Sequence, residues 1–196
     1  MRRSIAFALV HAPVLGKGGE TMVSTVTNLD VHDLSRSAKT YGIAPYFVVT
    51  PIAAQRELVE RICTHWTTGS SAARIPTRKE ALALVEPVSS IEDAVTALGG
   101  RDRVEIWATA ARTMGKPVIP YSQARQRLGT DGAKSEAPAD SRHVLVLFGT
   151  SWGLAASAIE MSDALLAPIE SGTGFNHLSV RAAAAIVCDR LLGHRE

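Results

Sequence analysis

Two kinds of segment alternate along the chain, and each has its own spacing of apolar residues. Continuous apolar runs, typical of strands buried on both faces, cover 5–10, 45–50, 85–88, 104–110, 144–148 and 164–167. Helical spacing, with apolar residues three or four positions apart, covers 28–41, 53–66, 80–84, 90–98, 121–128, 154–161 and the stretch after Ser179. This alternation predicts an α/β fold in which a parallel sheet carries helices on both faces.

The strand and the helix of the last third are the most informative part of this pattern. The apolar run 144–148 is followed by Gly149 and Gly153, which allow a tight turn and a close approach of the backbone to a ligand. Asn176 and Ser179, both good N-caps, precede a helix that is apolar almost all round. Such a helix must be buried on most sides, so we expect it to pack against the domain and against a second subunit.

The composition describes one ordinary globular domain that spans 1–196. The chain has 196 residues, 46% hydrophobic and 20% charged, and its net charge of +2 excludes a polycation that binds nucleic acid through overall charge. Both cysteines fall among apolar neighbours, as expected of reduced thiols in a cytoplasmic protein, and no Cys-x-x-Cys pair suggests a metal. No run approaches the ~20 apolar residues of a membrane helix.

Three motifs from the two ends of the chain resemble one family. The segment 148–150 ends the apolar strand with Phe-Gly-Thr, and the segment 176–180 reads Asn-His-Leu-Ser-Val before an alanine-rich helix. Near the N-terminus, Arg36 precedes Gly42 by six positions. Together these motifs resemble the SPOUT family of S-adenosylmethionine-dependent RNA methyltransferases. The pattern is most similar to a stand-alone bacterial branch related to tRNA guanine-N1 methyltransferase domains.

The resemblance implies both a fold and a site for the methyl donor. SPOUT domains carry a deep trefoil knot, in which the C-terminal helix is threaded through a loop. In the family, three loops converge on the knot and hold the adenosine of S-adenosylmethionine, the cofactor we expect here. The matching residues are Thr109, Ala110, Phe148, Gly149, Thr150, Gly153, Ile169, Asn176, Leu178 and Ser179. The resemblance also implies a homodimer, formed here through the C-terminal helix, with the RNA substrate crossing both subunits.

The residues that would handle the methyl acceptor on the RNA are less clearly marked in the sequence than those for the methyl donor. Arg36 matches an arginine that some ribose-methylating members use to activate the hydroxyl or to orient a phosphate, and Asn28 could anchor the RNA or this arginine; these are the expected catalytic residues. Residues 29–33 depart from the Gly-Ala pattern of ribose-methylating relatives, so a base nitrogen and a ribose oxygen both remain possible targets. His177 is a candidate base, or a residue that holds the donor loop by hydrogen bonds. Local basic groups could meet the phosphates of a tRNA or an rRNA.

Two rival functions compete with methyl transfer. Gly149-Thr-Ser-Trp-Gly153 spells the G-x-S-x-G nucleophile elbow of serine hydrolases, and Asp163 and His177 follow Ser151 in the order of a catalytic triad. Against a hydrolase, only 45 residues follow Ser151, and no His-Gly-Gly segment for an oxyanion hole precedes it. The other rival is a non-catalytic protein that binds RNA or an adenosyl ligand.

Overall fold

A computed structural model describes residues 2–68, 70–131 and 140–194. Its strands are β1 (Ile5–Val10), β2 (Val14–Leu15), β3 (Thr21–Met22), β4 (Tyr46–Val49), β5 (Val85–Val88), β6 (Val104–Ala108), β7 (Val118–Ile119), β8 (His143–Gly149) and β9 (Ala164–Leu166). Its helices are α1 (Asn28–Tyr41), α2 (Ala53–Thr67), α3 (Ser70–Arg74), α4 (Pro76–Leu82), α5 (Ile91–Ala97), α6 (Tyr121–Leu128), α7 (Ala156–Met161) and α8 (Val180–Leu192).

Seven of these strands form one parallel sheet in the order β5-β4-β1-β8-β6-β9-β7, and β2 and β3 form a separate antiparallel hairpin. Strand β8 is inserted between β1 and β6, with Phe7 opposite Val146, and β9 is inserted between β6 and β7. The carboxyl ends of β1, β8, β6 and β9 therefore lie side by side, and the loops that follow these strands meet at one edge of the sheet.

The two faces of the sheet carry separate apolar layers. On one face, Phe7 and Phe148 meet edge to face with ring centroids 4.9 Å apart, among side chains of α1, α2, α4, α6 and α8. On the other face, Ala8 and Leu147 pack with side chains of α5 and α7. The prediction of a parallel sheet with helices on both faces is therefore confirmed. The threading of α8 through a knot stays a prediction.

The two ends of α1 follow local sequence signals. The Thr27 hydroxyl accepts a hydrogen bond from the Asp30 N–H at 3.2 Å to open α1, and Gly42, with φ of 64°, closes it. The helical spacing over 53–66 predicts that Leu58 of α2 points inward, which is wrong: Leu58 is 42% exposed, and its neighbour Val59 is buried instead. The spacing from Ile62 and Cys63 is compatible with an inward Leu58 or an inward Val59, and the packing of the core buries Val59.

The composition of 129–142 predicts a loop, and residues 132–139 of it lie outside the described residues. Within the described ranges, no helix is both long and apolar enough to cross a membrane.

Burial raises the pKa of the Cys63 thiol to about 11 and that of Cys188 to about 12, so neither is a reactive thiolate at neutral pH.

Charged side chains at the amino ends of the strands are paired with one another. The Arg3 guanidinium, 2% exposed, lies 2.7 Å from the Glu105 carboxylate, and Arg127 lies 3.2 Å from the other oxygen of the same carboxylate. The Asp163 carboxylate accepts hydrogen bonds from Arg101 at 2.5 Å and from the Ile106 N–H at 2.7 Å. These charged side chains at this end of the sheet are therefore ion-paired.

Candidate functional site

A cavity of about 1120 Å³ opens at the carboxyl ends of β8, β6 and β9. Four stretches of chain and the single residue Tyr121 contribute to its wall; the stretches lie between 15 and 30, between 109 and 114, between 148 and 154, and between 166 and 187. This is the edge where open parallel sheets bind their ligands. All ten residues predicted to contact the methyl donor line it: Thr109, Ala110, Phe148, Gly149, Thr150, Gly153, Ile169, Asn176, Leu178 and Ser179.

The turn after β8 forms one wall of the cavity and depends on its glycines. A Cβ on Gly149 would lie 2.5 Å from the Leu154 nitrogen, so this glycine is required by the turn itself and not by the approach of a ligand. Ser151 and Gly153 have φ of 54° and 106°. The turn is attached to β2, because Leu15 donates to the Gly153 carbonyl at 2.9 Å and Trp152 donates to the Leu15 carbonyl at 3.2 Å.

The polar side chains among the ten residues hold the loops together. The Asn176 amide donates to the Ala111 carbonyl at 2.8 Å, which joins the segment before α8 to the loop after β6. The Thr109 hydroxyl donates to the Leu147 carbonyl at 2.8 Å, and the Ser179 hydroxyl accepts from the Ala182 N–H at 3.2 Å as the N-cap of α8. These side chains fix the shape of the cavity and leave neighbouring backbone and apolar groups to meet a ligand.

Apolar side chains surround the opening of the cavity and remain exposed. Leu178 is 47% exposed and Trp152 is 58% exposed, and both line the cavity. Phe175, next to the lining residue Asn176, is 72% exposed and contacts the His177 ring. Large apolar groups that stay in water beside a cavity are typical of a surface that a ligand covers.

A hydrogen-bonded chain runs from buried His11 to the cavity wall. The His11 Nδ1 and the Ser24 Oγ are 2.9 Å apart, the Ser24 and Thr150 hydroxyls are 2.5 Å apart, and the Thr150 hydroxyl lies 3.1 Å from the Val10 carbonyl. Because that carbonyl can only accept, a consistent chain has Thr150 donating to it, Ser24 donating to Thr150, and His11 donating from Nδ1. The buried Nε2 then carries a lone pair without a partner among the described residues. Burial lowers the His11 pKa to about 4, although nearby Asp30 opposes this, so the ring is neutral at pH 7.

An acidic side chain on the cavity wall is held by α8. The Asp30 carboxylate accepts a hydrogen bond from the Thr27 hydroxyl at 2.6 Å and lies 3.5 Å from the Arg181 Nε. Arg181 also lies 3.6 Å from the Asp33 carboxylate. The first turn of α1 and the first turn of α8 are therefore joined beside the cavity, with Asp30 facing it.

The two expected catalytic residues do not line this cavity. Asn28 and Arg36 lie on α1, and the Arg36 side chain is exposed. Asn28 instead lines a second, shallower depression together with His32, while Thr27 and Asp30 line the large cavity. Helix α1 therefore presents different residues to two different sites.

The hydrolase alternative is wrong. Ser151 and His177 both line the cavity, but Asp163 precedes β9 and is bound to Arg101 and to the backbone of β6 at the amino end of the sheet. The three side chains do not form a triad, because the acid and the other two residues lie at opposite ends of the strands.

Sequence reasoning missed four residues of the site: His11, Ser24, Asp30 and Arg181. His11 directly follows β1, and Ser24 lies in the segment between β3 and α1; neither has a recognisable motif around it. Asp30 and Arg181 lie in the first turns of two helices and are about 150 positions apart, so only the tertiary contact joins them. A carboxylate in the first turn of a helix suggests only a favourable helix dipole.

Comparisons with protein families and with curated proteins agree on one family. A family model described as SAM-dependent RNA methyltransferase matches residues 4–193. A tRNA (guanine-N(1)-)-methyltransferase of Oleidesulfovibrio alaskensis is 41% identical over 193 residues, which are 97% of this chain and 42% of that protein. An uncharacterized protein of Aquifex aeolicus is 33% identical and is aligned over 97% of this chain and 89% of its own length. The chain thus spans about two-fifths of the length of the methyltransferase relative.

Solved structures share the fold. A putative methylase family protein from Neisseria gonorrhoeae gives a TM-score of 0.64 at 16% identity, covering 97% of this chain and 82% of its own. The SpoU methyltransferase AviRb from Streptomyces viridochromogenes, in complex with AdoMet, gives a TM-score of 0.54 at 13% identity, covering 98% and 58%. At such low identities the likeness shows the fold alone.

Proposed function

Because the chain belongs to the family of SAM-dependent RNA methyltransferases, we propose that its large cavity binds S-adenosylmethionine and that the chain methylates RNA. One observation supports the proposal most strongly: the ten residues predicted to contact the methyl donor come from separate stretches of the sequence and all line a single cavity. The family supplies the reaction class, and the cavity supplies a place for the donor.

The residues of the cavity fit the chemistry of this donor. Its volume of about 1120 Å³ is at the upper end of the range for small-molecule sites. Leu178, Ile169 and Phe148 offer apolar surface for an adenine ring, beside backbone groups of the loops that they belong to. Asp30 and Lys17 offer one negative and one positive side chain for the amino and carboxyl groups of the methionine part.

When bound, the donor supplies a methyl group on a positively charged sulfur. The protein has to hold the acceptor in line with that methyl group and to exclude water. Within the described part of the chain, Asp30 and His177 are the cavity-lining side chains whose oxygen or nitrogen atoms can accept a proton from an RNA nucleophile. The Arg181 guanidinium keeps Asp30 in place, and Ser24 and Thr150 keep the adjoining wall in place through His11.

Asn28 and Arg36 keep a proposed role in handling RNA, outside the cavity of their own chain. We propose that they act on RNA that crosses a homodimer, as the family resemblance implies. Helix α8 leaves Ala185 exposed and Ile186 half-buried, which is consistent with a partner on that face. Light scattering at micromolar concentration is expected to give about twice the chain mass of 20.9 kDa, and a clean monomer would contradict the dimer.

The RNA class is also a proposal. A curated relative is named for methylation of guanine N1 in tRNA, but more than half of its length lies outside the match, so that activity need not reside in the matching part. We propose a tRNA or an rRNA in the cytoplasm as the substrate and leave the methylated atom to experiment. Nucleoside mass spectrometry of RNA from a strain without the gene would identify the missing methyl group.

Calorimetry with S-adenosylhomocysteine tests donor binding. We expect one molecule bound per chain and about tenfold weaker binding by Leu178→Ala, because the variant removes apolar surface from the cavity. Ile52→Ala is the matched control, since Ile52 is exposed to a similar degree, 42% against 47%, and lies outside the cavity. No heat of binding by the wild type, or equal effects of both variants, would contradict the proposal.

A further inference from the structure

A groove of about 560 Å³ lies between α1 and α2, on the side of α1 away from the large cavity. Asn28 and His32 of α1 line it together with Arg61, His65 and Trp66 of α2. Asn28 directly follows Thr27, which lines the large cavity, so the groove begins where the wall of the cavity ends. We call it the α1–α2 groove.

The indole of Trp66 is the largest apolar surface in the groove. The Arg78 guanidinium lies over this ring, 4.5 Å from its centroid, and the rings of His32 and His65 meet it edge-on at centroid distances of 5.6 and 5.2 Å. Trp66 is only half-buried. A flat aromatic surface with a stacked guanidinium is a combination that holds nucleobases of single-stranded RNA.

Arginines near the groove lack a carboxylate or carbonyl partner, unlike most other arginines among the described residues. Elsewhere, for example, Arg3 and Arg101 pair with carboxylates, and Arg125 donates to backbone carbonyls at the end of α8. Within the described ranges, Arg61 and Arg78 have no carboxylate partner. The exposed Arg36, one turn after His32 on the same face of α1, has none either. Guanidinium groups without protein acceptors are available for phosphate oxygens.

One polar atom in the groove also lacks a partner. The Nδ1 of His32 is buried and makes no hydrogen bond within the described residues. Burial and the nearby Arg78 lower the pKa of His32, so the neutral ring can donate or accept a single hydrogen bond at neutral pH. Because the Nδ1 atom itself is buried, the groove side chains within reach of a nucleotide are the exposed Arg61 and the half-buried Trp66 and Arg78.

We propose that the α1–α2 groove binds one unpaired nucleotide of the RNA substrate, next to the nucleotide that enters the large cavity. Trp66 contacts the base, and Arg61 and Arg78 contact its phosphates. The inference rests on the proposed function and adds a recognition site for single-stranded RNA to it. A two-fold contact between copies is disfavoured at this groove, because it would bring the same unpaired guanidinium groups together.

Binding of a labelled five-nucleotide oligouridylate, followed by fluorescence anisotropy at several salt concentrations, tests the groove. The double variant Arg61→Ala/Arg78→Ala is expected to weaken binding at least tenfold and to reduce the slope of log Kd against log salt by about 1.4, since two phosphate contacts are lost. Trp66→Ala is expected to weaken binding about tenfold with little change in slope, because stacking is not ionic. A matched RNA duplex is expected to bind more weakly than the single strand.

Arg103→Ala is the matched control, because Arg103 is exposed, has no carboxylate partner among the described residues and precedes β6 at the other end of the sheet. It should keep the wild-type Kd within twofold. Three results would overturn the inference: an equal loss with Arg103→Ala, no oligonucleotide binding by the wild type, or variants that turn a dimer into a monomer while binding RNA normally. Calorimetry with S-adenosylhomocysteine on every variant separates these results from a failure of folding or of the donor site.

Discussion

The two ends of the sheet differ in their charged side chains: the buried ones at the amino end are ion-paired, whereas, within the described ranges, the cavity wall at the carboxyl end carries unpaired charges beside the Asp30–Arg181 pair. At the amino end, the Arg3 and Glu105 side chains, 2% and 6% exposed, form a buried ion pair, and the partly exposed Arg127 contacts the same carboxylate. At the carboxyl end, Lys17 and Arg112 line the cavity without a carboxylate partner among the described residues. Paired charges stabilise the fold, and unpaired charges beside a cavity remain available to a ligand.

This difference predicts that changes at the two ends have different consequences. Substitutions at the amino end should lower the free energy of unfolding and leave donor binding intact. Substitutions at the carboxyl end should change donor binding with a smaller loss of stability. The predictions below compare the two ends directly.

The largest effect is expected from Glu105→Ala. The Arg3 guanidinium is 2% exposed and would lose its closest carboxylate, so the free energy of unfolding should fall by about 3–5 kcal/mol. Urea unfolding measures this loss, and Asp102→Ala, on the exposed turn before β6, should cost far less. A loss below ~1 kcal/mol, or weaker binding of S-adenosylhomocysteine by the folded variant, would contradict the division between the two ends.

An intermediate loss of stability is expected when the pH is lowered, because His11, at the carboxyl end of β1, is buried in its neutral form. The His11 pKa is about 4 in the folded chain and about 6.5 in the unfolded chain, so only the unfolded chain binds this proton between those values. Stability is therefore complete above pH 6.5 and falls with pH through that window, by about 2 kcal/mol at pH 5.

Urea unfolding at pH 7.5 and pH 5 measures this contribution of His11. His11→Gln should remove it, so that the variant loses less stability between the two pH values than the wild type. His177→Gln is the control, because His177 is exposed and the variant should lose as much as the wild type. If all three proteins lost the same stability between pH 7.5 and pH 5, His11 would be protonated as readily in the folded chain as in the unfolded chain, which would contradict the prediction.

The smallest loss of stability is expected from Ser179→Ala. Removal of the N-cap of α8 should cost about 1 kcal/mol, and the displaced segment 176–179 should weaken S-adenosylhomocysteine binding several-fold. Ser90→Ala removes the corresponding cap of α5, where Ser90 accepts from the Asp93 N–H at 3.0 Å. It should cost the same stability and leave ligand binding unchanged; parallel effects on binding would separate α8 from the donor site.

Local pattern was sufficient to predict most of the fold. The apolar run of β1 and the helix from Asn28 to Tyr41 are predicted with their observed bounds, because continuous apolar residues, helical spacing and a terminal Gly42 are local signals. The two-residue strands β2, β3 and β7 were missed, since such short segments carry no periodicity. The position of Leu58 depended on tertiary packing that spacing does not determine.

The candidate site was predictable where motifs marked it. The glycine turn after β8 and the Asn-His-Leu-Ser-Val segment led to residues that do line one cavity. The position of Arg36 relative to that cavity depended on which face of α1 turns toward it, and the pairing of Asp30 with Arg181 joins distant parts of the sequence. Neither relationship has a local signature.

The most direct test of the account is a crystal structure of the protein with S-adenosylhomocysteine. The account predicts density for the nucleoside in the large cavity, with the adenine against Leu178 and Ile169 and within reach of the backbone of Gly149. Density in another part of the molecule, or loops after β6 and β8 that lie too far apart to contact one ligand, would contradict it.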